Sequence, residues 1–408
     1  MIVFILAVFI AVYVGMALGR LPGLQVDRTG VALLGAILLL VGGAVGGDQA
    51  MAAIDFPTIL VLLGLMILSA QFALAGFYDW CAVRITRAAA SPEALLALVV
   101  AVGGGLSAVL ANDVVVFAMT PLLCVGLQGR GLDARPYLIA LAGAANAGSA
   151  ATVIGNPQNI LIGEAGNLAF WPFLAACGPP ALIALAIVYA TVRLVWRGRL
   201  VAGSPGAPAD LPPFDRWQLA KGAAGTLLLL GLFATTLPRE TSVLAVAGIM
   251  LVSRQLASRR MLGLVDWHLL VLFAALFTVT GALAATGLPA RLLEGLAGTG
   301  FGLERLSVLV PLSLIASNSI GNVPAVVLLI QIWHAAPPGA LYALALLSTL
   351  AGNLLLLGSL ANLIVLERAA AVGVRLGFAE HARCGIPMTL ASTLVAVLWL
   401  VLAGHAGL

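Results

Sequence analysis

Charge is the scarcest property of this sequence: only 9% of its 408 residues are Asp, Glu, Lys or Arg, against roughly 25% in ordinary soluble domains. A water-facing surface for so long a chain cannot be assembled from so few charges, and the mean hydropathy of +1.13 marks an integral membrane protein. Alternating strands of barrel type are missing too, whereas runs of ~20 apolar residues, enough to cross a ~30 Å hydrocarbon core as helix, recur throughout. The fold class expected is therefore all-α and polytopic.

Cysteine is sparse: Cys81, Cys124, Cys177 and Cys384 lack C-x-x-C spacing and suggest neither metal nor disulfide. His268, His334, His381 and His405 form no H-x-x-x-H pair and are expected at span ends, near the interface. The sequence has no Walker A, G-x-S-x-G or H-E-x-x-H motif and no glycine fingerprint in a strand context, which argues against an enzyme, a cofactor and ATP hydrolysis within the chain. The pI near 9.1 reflects basic residues spread over short inter-helix loops, so the expected surroundings are a lipid bilayer and not nucleic acid.

Met1 to Leu18 lacks the basic n-region of a signal peptide and is longer than the apolar part of one, so it reads as a retained first helix. The apolar segments around 94–127 and 306–335 are short, close together and polar at their tips, which suggests two re-entrant helical hairpins. In that topology one face collects 17 of the 20 basic residues and the other keeps Arg239, Arg291 and Arg305. Cytoplasmic loops carry the excess of Lys and Arg, so both termini are expected outside the cytoplasm. Treating each hairpin as two full spans gives the same parity.

The Pro- and Gly-rich loop R-G-R-L-V-A-G-S-P-G-A-P-A-D-L-P-P-F-D-R divides the chain almost in half. D-F-P-T-I-L-V-L-L-G from Asp55 matches D-W-H-L-L-V-L-F-A-A from Asp266, an offset of 211 that holds to Gly76 and Gly287. L-A-N-D-V-V-V-F at 110–117 has its counterpart in I-G-N-V-P-A-V-V at 320–327, and G-N-P-Q-N-I-L-I at 155–162 in G-S-L-A-N-L-I-V at 358–365. The reading is a first repeat at 1–196, with a hairpin at 93–128 and a broken helix at 137–165. A cytoplasmic linker follows at 197–217, then a second repeat at 218–408, with a hairpin at 303–336 and a broken helix at 340–366. Each repeat holds three spans, the hairpin, the broken helix and a closing span, and the charge pattern orients the two oppositely. Inverted repeats with broken helices are the mark of secondary transporters, whose site lies near the midplane.

A helix is interrupted in hydrocarbon only where protein or a water-filled cavity satisfies the freed backbone groups, so the four interruptions suggest a shared cavity. Candidate substrate ligands at the hairpin tips are Asn112, Ser317, Asn318 and Asn322. On the broken helices they are Asn146, Ser149, Gly155, Asn156, Pro157, Gln158, Asn159, Asn353, Gly358, Ser359 and Asn362. Asp113 stands apart, because the other fifteen acidic residues fit loops or helix ends. An ionisable group inside the membrane is a functional hypothesis by default; Asp113 can carry a proton or neutralise a coupling cation, or simply cap the hairpin's second arm. A Na+ site is conceivable near Asn112, Asp113, Gly148 and Asn322. Half-helix N-termini suit an anion and unwound carbonyls suit Na+, so an anion site without arginine is physically reasonable.

Together, L-A-N-D-V-V-V-F-A-M-T-P-L, A-T-V-I-G-N-P-Q-N-I-L-I, S-N-S-I-G-N-V-P-A-V-V and G-S-L-A-N-L-I-V resemble the ion transporter superfamily, of arsenite permease and divalent anion–sodium symporter type. That resemblance implies a scaffold domain and a transport domain moving as an elevator, usually in a homodimer. It also implies substrate binding by the hairpin asparagines. Dicarboxylate carriers of this type have Ser-Asn-Thr at both tips; here Ala111-Asn112-Asp113 and Gly321-Asn322-Val323 keep the amides without the hydroxyls. The Asn-Asp pair is similar to the arsenite permease branch and G-N-P-Q-N to the dicarboxylate side. The expectation is an inner-membrane secondary transporter of a small inorganic or carboxylate anion or oxyanion, arsenite and antimonite included, coupled to H+ before Na+. A Na+/H+ antiporter and a dicarboxylate or citrate symporter are the alternatives within transport. A channel or structural subunit would leave the paired asparagines without a use.

Overall fold

The structure, a computed structural model, describes residues 1–19, 23–88, 91–200, 214–291, 295, 302–333 and 336–407. Arg20, His334 and most of the 197–217 linker lie outside the described residues. Within them the chain is helical and has no strand. Leu182, Leu194, Leu227 and Leu394 are exposed, while Asn146, Asn159, Asn353 and Asn362 are buried. Apolar side chains on the exterior and polar ones gathered within a largely apolar core are what hydrocarbon demands, because unpaired polar groups cost several kcal/mol there.

The first repeat runs α1 (Ile2–Leu18), α2 (Arg28–Val41), the short α3 (Gly47–Ala53), α4 (Phe56–Leu74) and α5 (Phe77–Arg87). Its hairpin is α6 (Pro92–Val109) with α7 (Asn112–Gly129), its broken helix α8 (Arg135–Ser149) with α9 (Pro157–Ala165), and its closing span α10 (Phe170–Val195). In the second repeat α11 (Arg216–Leu232), α12 (Arg239–Leu251), the short α13 (Ser258–Leu262) and α14 (Trp267–Ala284) precede the hairpin. That hairpin is α15 (Leu306–Ile320) with α16 (Asn322–Ile332), followed by α17 (Pro338–Ala351), a 3-10 turn at Leu356–Gly358, α18 (Leu360–Ala371) and α19 (Phe378–Leu402). The order span, span, span, hairpin, broken helix, span is thus built twice. Helices α3, α5 and α13 were not legible as separate elements.

Equivalent residues start equivalent helices. Asp55 caps α4 by accepting from the Thr58 N–H (3.2 Å) and Asp266 caps α14 by accepting from the Leu269 N–H (2.9 Å), a contact worth about 1 kcal/mol each. The repeats are interleaved: α12 lies on α4 and α2 on α14. Close approach needs small residues. At Gly148 of α8 an added Cβ would run into the backbone of Gly104 in α6.

Each hairpin docks on its own broken helix. The Asn112 N–H donates to the Gly155 carbonyl (3.4 Å) and the Ala111 N–H to Ser69 Oγ of α4 (3.2 Å). Asn318 Nδ2 donates to the Ala351 carbonyl (2.9 Å), and its Oδ1 accepts from the Leu355 N–H (3.2 Å). The turn of the second hairpin uses Gly321 at φ +94°, a conformation that side chains with a Cβ rarely adopt. The tips thus meet the helix breaks, while the two arms of the first hairpin, α6 and α7, at 18 residues each are long and apolar enough to cross a membrane.

Candidate functional site

The two breaks are held by one device used twice. Asn159 Nδ2 donates to the carbonyls of Ser149 (3.2 Å) and Thr152 (3.0 Å). Asn362 Nδ2 donates to those of Gly352 (2.7 Å) and Leu355 (3.2 Å). In both repeats the partners lie ten and seven residues upstream, so each asparagine staples the unwound turn preceding its half-helix. The freed carbonyls that a break would leave in hydrocarbon are thereby satisfied.

The half-helix caps then tie the repeats together. Asn156, cap of α9, accepts from the Asn159 N–H (2.9 Å) and donates through Nδ2 to Ser149 Oγ (2.9 Å) and Thr349 Oγ1 of α17 (3.3 Å). Ser359, cap of α18, donates to Asn146 Oδ1 of α8 (2.9 Å). Asn156 and Ser359 are 203 residues apart, as are Asn146 and Thr349, so each cap reaches the equivalent position in the opposite repeat. Asn146 Nδ2 also donates to Asn353 Oδ1 (2.8 Å) and Asn362 Oδ1 (3.2 Å), Asn353 Nδ2 to the Gly143 carbonyl (3.2 Å), and Gln158 Nε2 to Thr349 Oγ1 (3.2 Å). All these side chains are at most 2% exposed.

Asn146, Ser149, Asn156, Gln158, Asn159, Asn353, Ser359 and Asn362 therefore lie together, with their polar capacity spent largely on one another and on the breaks. Gly155 and Gly358 lie on the unwound turns and Pro157 opens α9. Ser317 (to the Ser348 carbonyl, 3.4 Å) and Asn318 fasten the second hairpin. His381 lies at the start of α19, the span end expected of it, but is 3% exposed with Nε2 3.1 Å from the Asn353 carbonyl, so it joins this network.

The hairpin tips face cavities, and here the anticipated shared cavity resolves into two. The first, about 500 Å³, is lined by Asp113, Asn156, Pro157 and Phe117, with apolar residues of α4 and with Asp79, Asp266 and Arg368. The second, about 460 Å³, holds Gly321 and Asn322 with Arg28, Asp27, His268 and Glu367. Asp266 and Leu269 of α14 line both. Helix α18 shows Ile364 and Arg368 to the first cavity and Leu360, Leu363 and Glu367 to the second, the stripes expected from helical i, i+3, i+4 spacing. Of the four residues considered for Na+, Asp113 and Asn322 line different cavities and Gly148 is packed against Gly104.

Asp113 sits in the first turn of α7, half-buried, where the positive end of the helix dipole favours a carboxylate. Among the described residues it has no ion-pair partner. Beside it the Asn112 Oδ1 is buried without a hydrogen bond. Arg368 stacks its guanidinium 4.1 Å from the centroid of the Phe117 ring, and its Nε is buried without a partner. Cation–π contact of this kind holds the charge in place without neutralising it. The first cavity thus offers a carboxylate, an arginine with an unused donor and the N-terminal end of α9.

Arg368 and Asp266 escaped the sequence reading, which counted both among loop and helix-end charges. The available signal was the i, i+4 spacing of Arg368 with Ile364 on a half-helix whose start was already recognised.

Comparison with known proteins agrees with this architecture. Residues 1–347 match the model of the CitMHS family, described as citrate transporters. The 46 kDa membrane protein of Mycobacterium leprae is 30% identical over 428 residues, covering 98% of both chains. The inner membrane protein YbiR of Escherichia coli is 33% identical over 358 residues, covering 86% of this chain and 89% of its own. The silicon efflux transporter LSI3 of Oryza sativa subsp. japonica is 28% identical over 452 residues, covering 92% and 93%. Among solved structures, the YdaH transporter of Alcanivorax borkumensis superposes with a TM-score of 0.59 at 17% identity, over 98% of this chain and 97% of that one; that likeness concerns the fold.

Proposed function

Since the chain belongs to the CitMHS transporter family, we propose that it is a secondary active transporter of a small anion or oxyanion across the cytoplasmic membrane, coupled to H+ through Asp113. The observation that carries this reading is the first cavity, where the unpaired carboxylate of Asp113 and the unsatisfied Nε of Arg368 share one wall system. A proton taken by Asp113 lowers the negative charge that an incoming anion meets, and Arg368 supplies a fixed counter-charge. The unsatisfied Asn112 Oδ1 beside Asp113 is a further acceptor, and the positive end of the α9 dipole at Pro157 favours negative charge. Solute and proton then cross together as the hairpins and broken helices move against the α2, α4, α12 and α14 scaffold, in the elevator manner, with two copies forming a dimer and both termini outside the cytoplasm.

Reconstituted protein given an imposed pH gradient and a panel of citrate, other carboxylates, arsenite and silicic acid tests the proposal. Accumulation of at least one solute, abolished by a protonophore, is expected; gradient-independent leakage of every solute would sink it. A second reading, a Na+/H+ antiporter, draws support from the three carboxylates Asp79, Asp113 and Asp266 set against one arginine in that cavity. Proton release driven by Na+ alone, with no anion present, would select it.

A further inference from the structure

One largely buried ion pair joins α12 to the end of α9, parts that the proposed elevator motion would move against each other. Arg239, the first residue of α12, places Nε 3.2 Å from Glu164 Oε1 and donates through Nη2 to the Gly163 carbonyl (2.8 Å), both at the end of α9. The side chains are 13% and 11% exposed.

The internal repeat supplies each partner with a counterpart. Arg28, the first residue of α2, precedes Arg239 by the same 211 residues that relate Asp55 to Asp266, and Glu367 follows Glu164 by the 203 residues that relate Asn159 to Asn362. Arg28 and Glu367 line the second cavity together. Yet no ion pair joins the two, whereas Arg239 and Glu164 are paired. Arg28 instead donates through Nε to the Met16 carbonyl (3.2 Å) and lies beside Gly321 at the tip of the second hairpin. One member of a symmetry-related couple is closed and the other stands open across a cavity.

We infer that Arg239–Glu164 and Arg28–Glu367 are alternating latches, each pair closing the side of the molecule that is shut and releasing as the other forms. The inference rests on the reading of the chain as an alternating-access transporter. In two inverted repeats, the conformation facing the opposite side is reached when each repeat adopts the arrangement now held by the other. Glu367 then approaches Arg28 as Glu164 now approaches Arg239, and Arg239 takes up a position at the first hairpin tip, beside Ala111, as Arg28 now does at Gly321. Each arginine thus moves between a carboxylate and a hairpin tip, so neither is left as an isolated buried charge in either state.

The test uses the full chain with Cys81, Cys124, Cys177 and Cys384 replaced by serine, carrying R28C with E367C, E164C with R239C, or all four. Membranes are treated with a short bis-methanethiosulfonate and the crosslinks are mapped by mass spectrometry. Each pair alone is expected to crosslink, and once one pair has been joined in the four-cysteine chain, the yield of the other should fall at least tenfold. Both crosslinks in the same molecule, or a 28/367 pair that never reacts while the 164/239 pair does, would overturn the inference. The 164/239 crosslink also reports that the chain is folded. Proton-driven uptake is measured separately on the same chain without introduced pairs: exclusive crosslinks without uptake reject the coupled-transport reading, and uptake without a 28/367 crosslink rejects the latches alone.

Discussion

Replacing Asn362 with alanine separates a structural role for the break asparagines from direct solute binding. The substitution removes the Nδ2 donor from the Gly352 and Leu355 carbonyls and the Oδ1 acceptor from Asn146. Three polar groups at a site 1% exposed are left short of a partner. Asn146 Nδ2 keeps Asn353 Oδ1, so the two carbonyls carry the loss; at about 1–3 kcal/mol for each buried group left unsatisfied the cost should be about 2–6 kcal/mol. Asn159→Ala should cost a similar amount by the same geometry in the other repeat. Thermal unfolding of the detergent-solubilised protein, followed by tryptophan fluorescence, measures both. Asn362→Asp sharpens the comparison, because it keeps an acceptor for Asn146 and still loses the two donors. Variants that unfold at the wild-type temperature, and differ only in a raised KM, would refute the stapling role and return these amides to the solute.

Other perturbations follow from the same contacts. Arg368→Ala should raise the KM for an anionic solute roughly 10- to 100-fold, the worth of a charge-assisted hydrogen bond, in a concentration series of proton-driven uptake; an unchanged KM would remove Arg368 from the site. Gly148→Ala puts a Cβ within 2.6 Å of the Gly104 Cα, backbone that cannot swing aside, so a loss beyond the usual ~1–3 kcal/mol of overpacking should appear as failure to recover monodisperse protein. Arg135 joins Asp133 (2.7 Å) to Glu380 (2.6 Å), linking the start of α8 to the start of α19. At about a third exposed, this network contributes on the order of 1 kcal/mol. Burial alone would raise the Asp133 carboxyl, but hydrogen bonds from Arg135 outweigh it and hold the group below its ordinary range. Its stabilisation is present above the unfolded-chain value and is lost as the pH falls through the lowered folded value. Wild type and Arg135→Ala should therefore differ in midpoint at neutral pH and converge in acid.

The repeat order was legible because its signals are local. Asp55 and Asp266 each cap the helix that follows within a few residues, and G-N-P-Q-N or G-S-L-A-N interrupts an apolar run visibly. The convergence of Asn146 with Asn353 and Asn362 was foreseen only as proximity at a site. Its actual bonding depends on partners about two hundred residues away, which spacing along one helix does not encode. The same distance hid His381, whose partner carbonyl belongs to Asn353 in the second break. Arg368 was overlooked for another reason: it lies in the last turn of the 12-residue half-helix, which carries its charge to the wall of a cavity, and a count of loop charges does not see that placement.

The central claim is that Asp113 couples solute movement to protons within the first cavity. The measurement that tests it most directly compares wild type and Asp113→Asn in proteoliposomes, for a solute that the wild type accumulates. Accumulation under an imposed pH gradient is set beside gradient-free counterflow of the same solute. The account predicts that Asp113→Asn retains counterflow and loses gradient-driven accumulation; accumulation at the wild-type level in Asp113→Asn would contradict it.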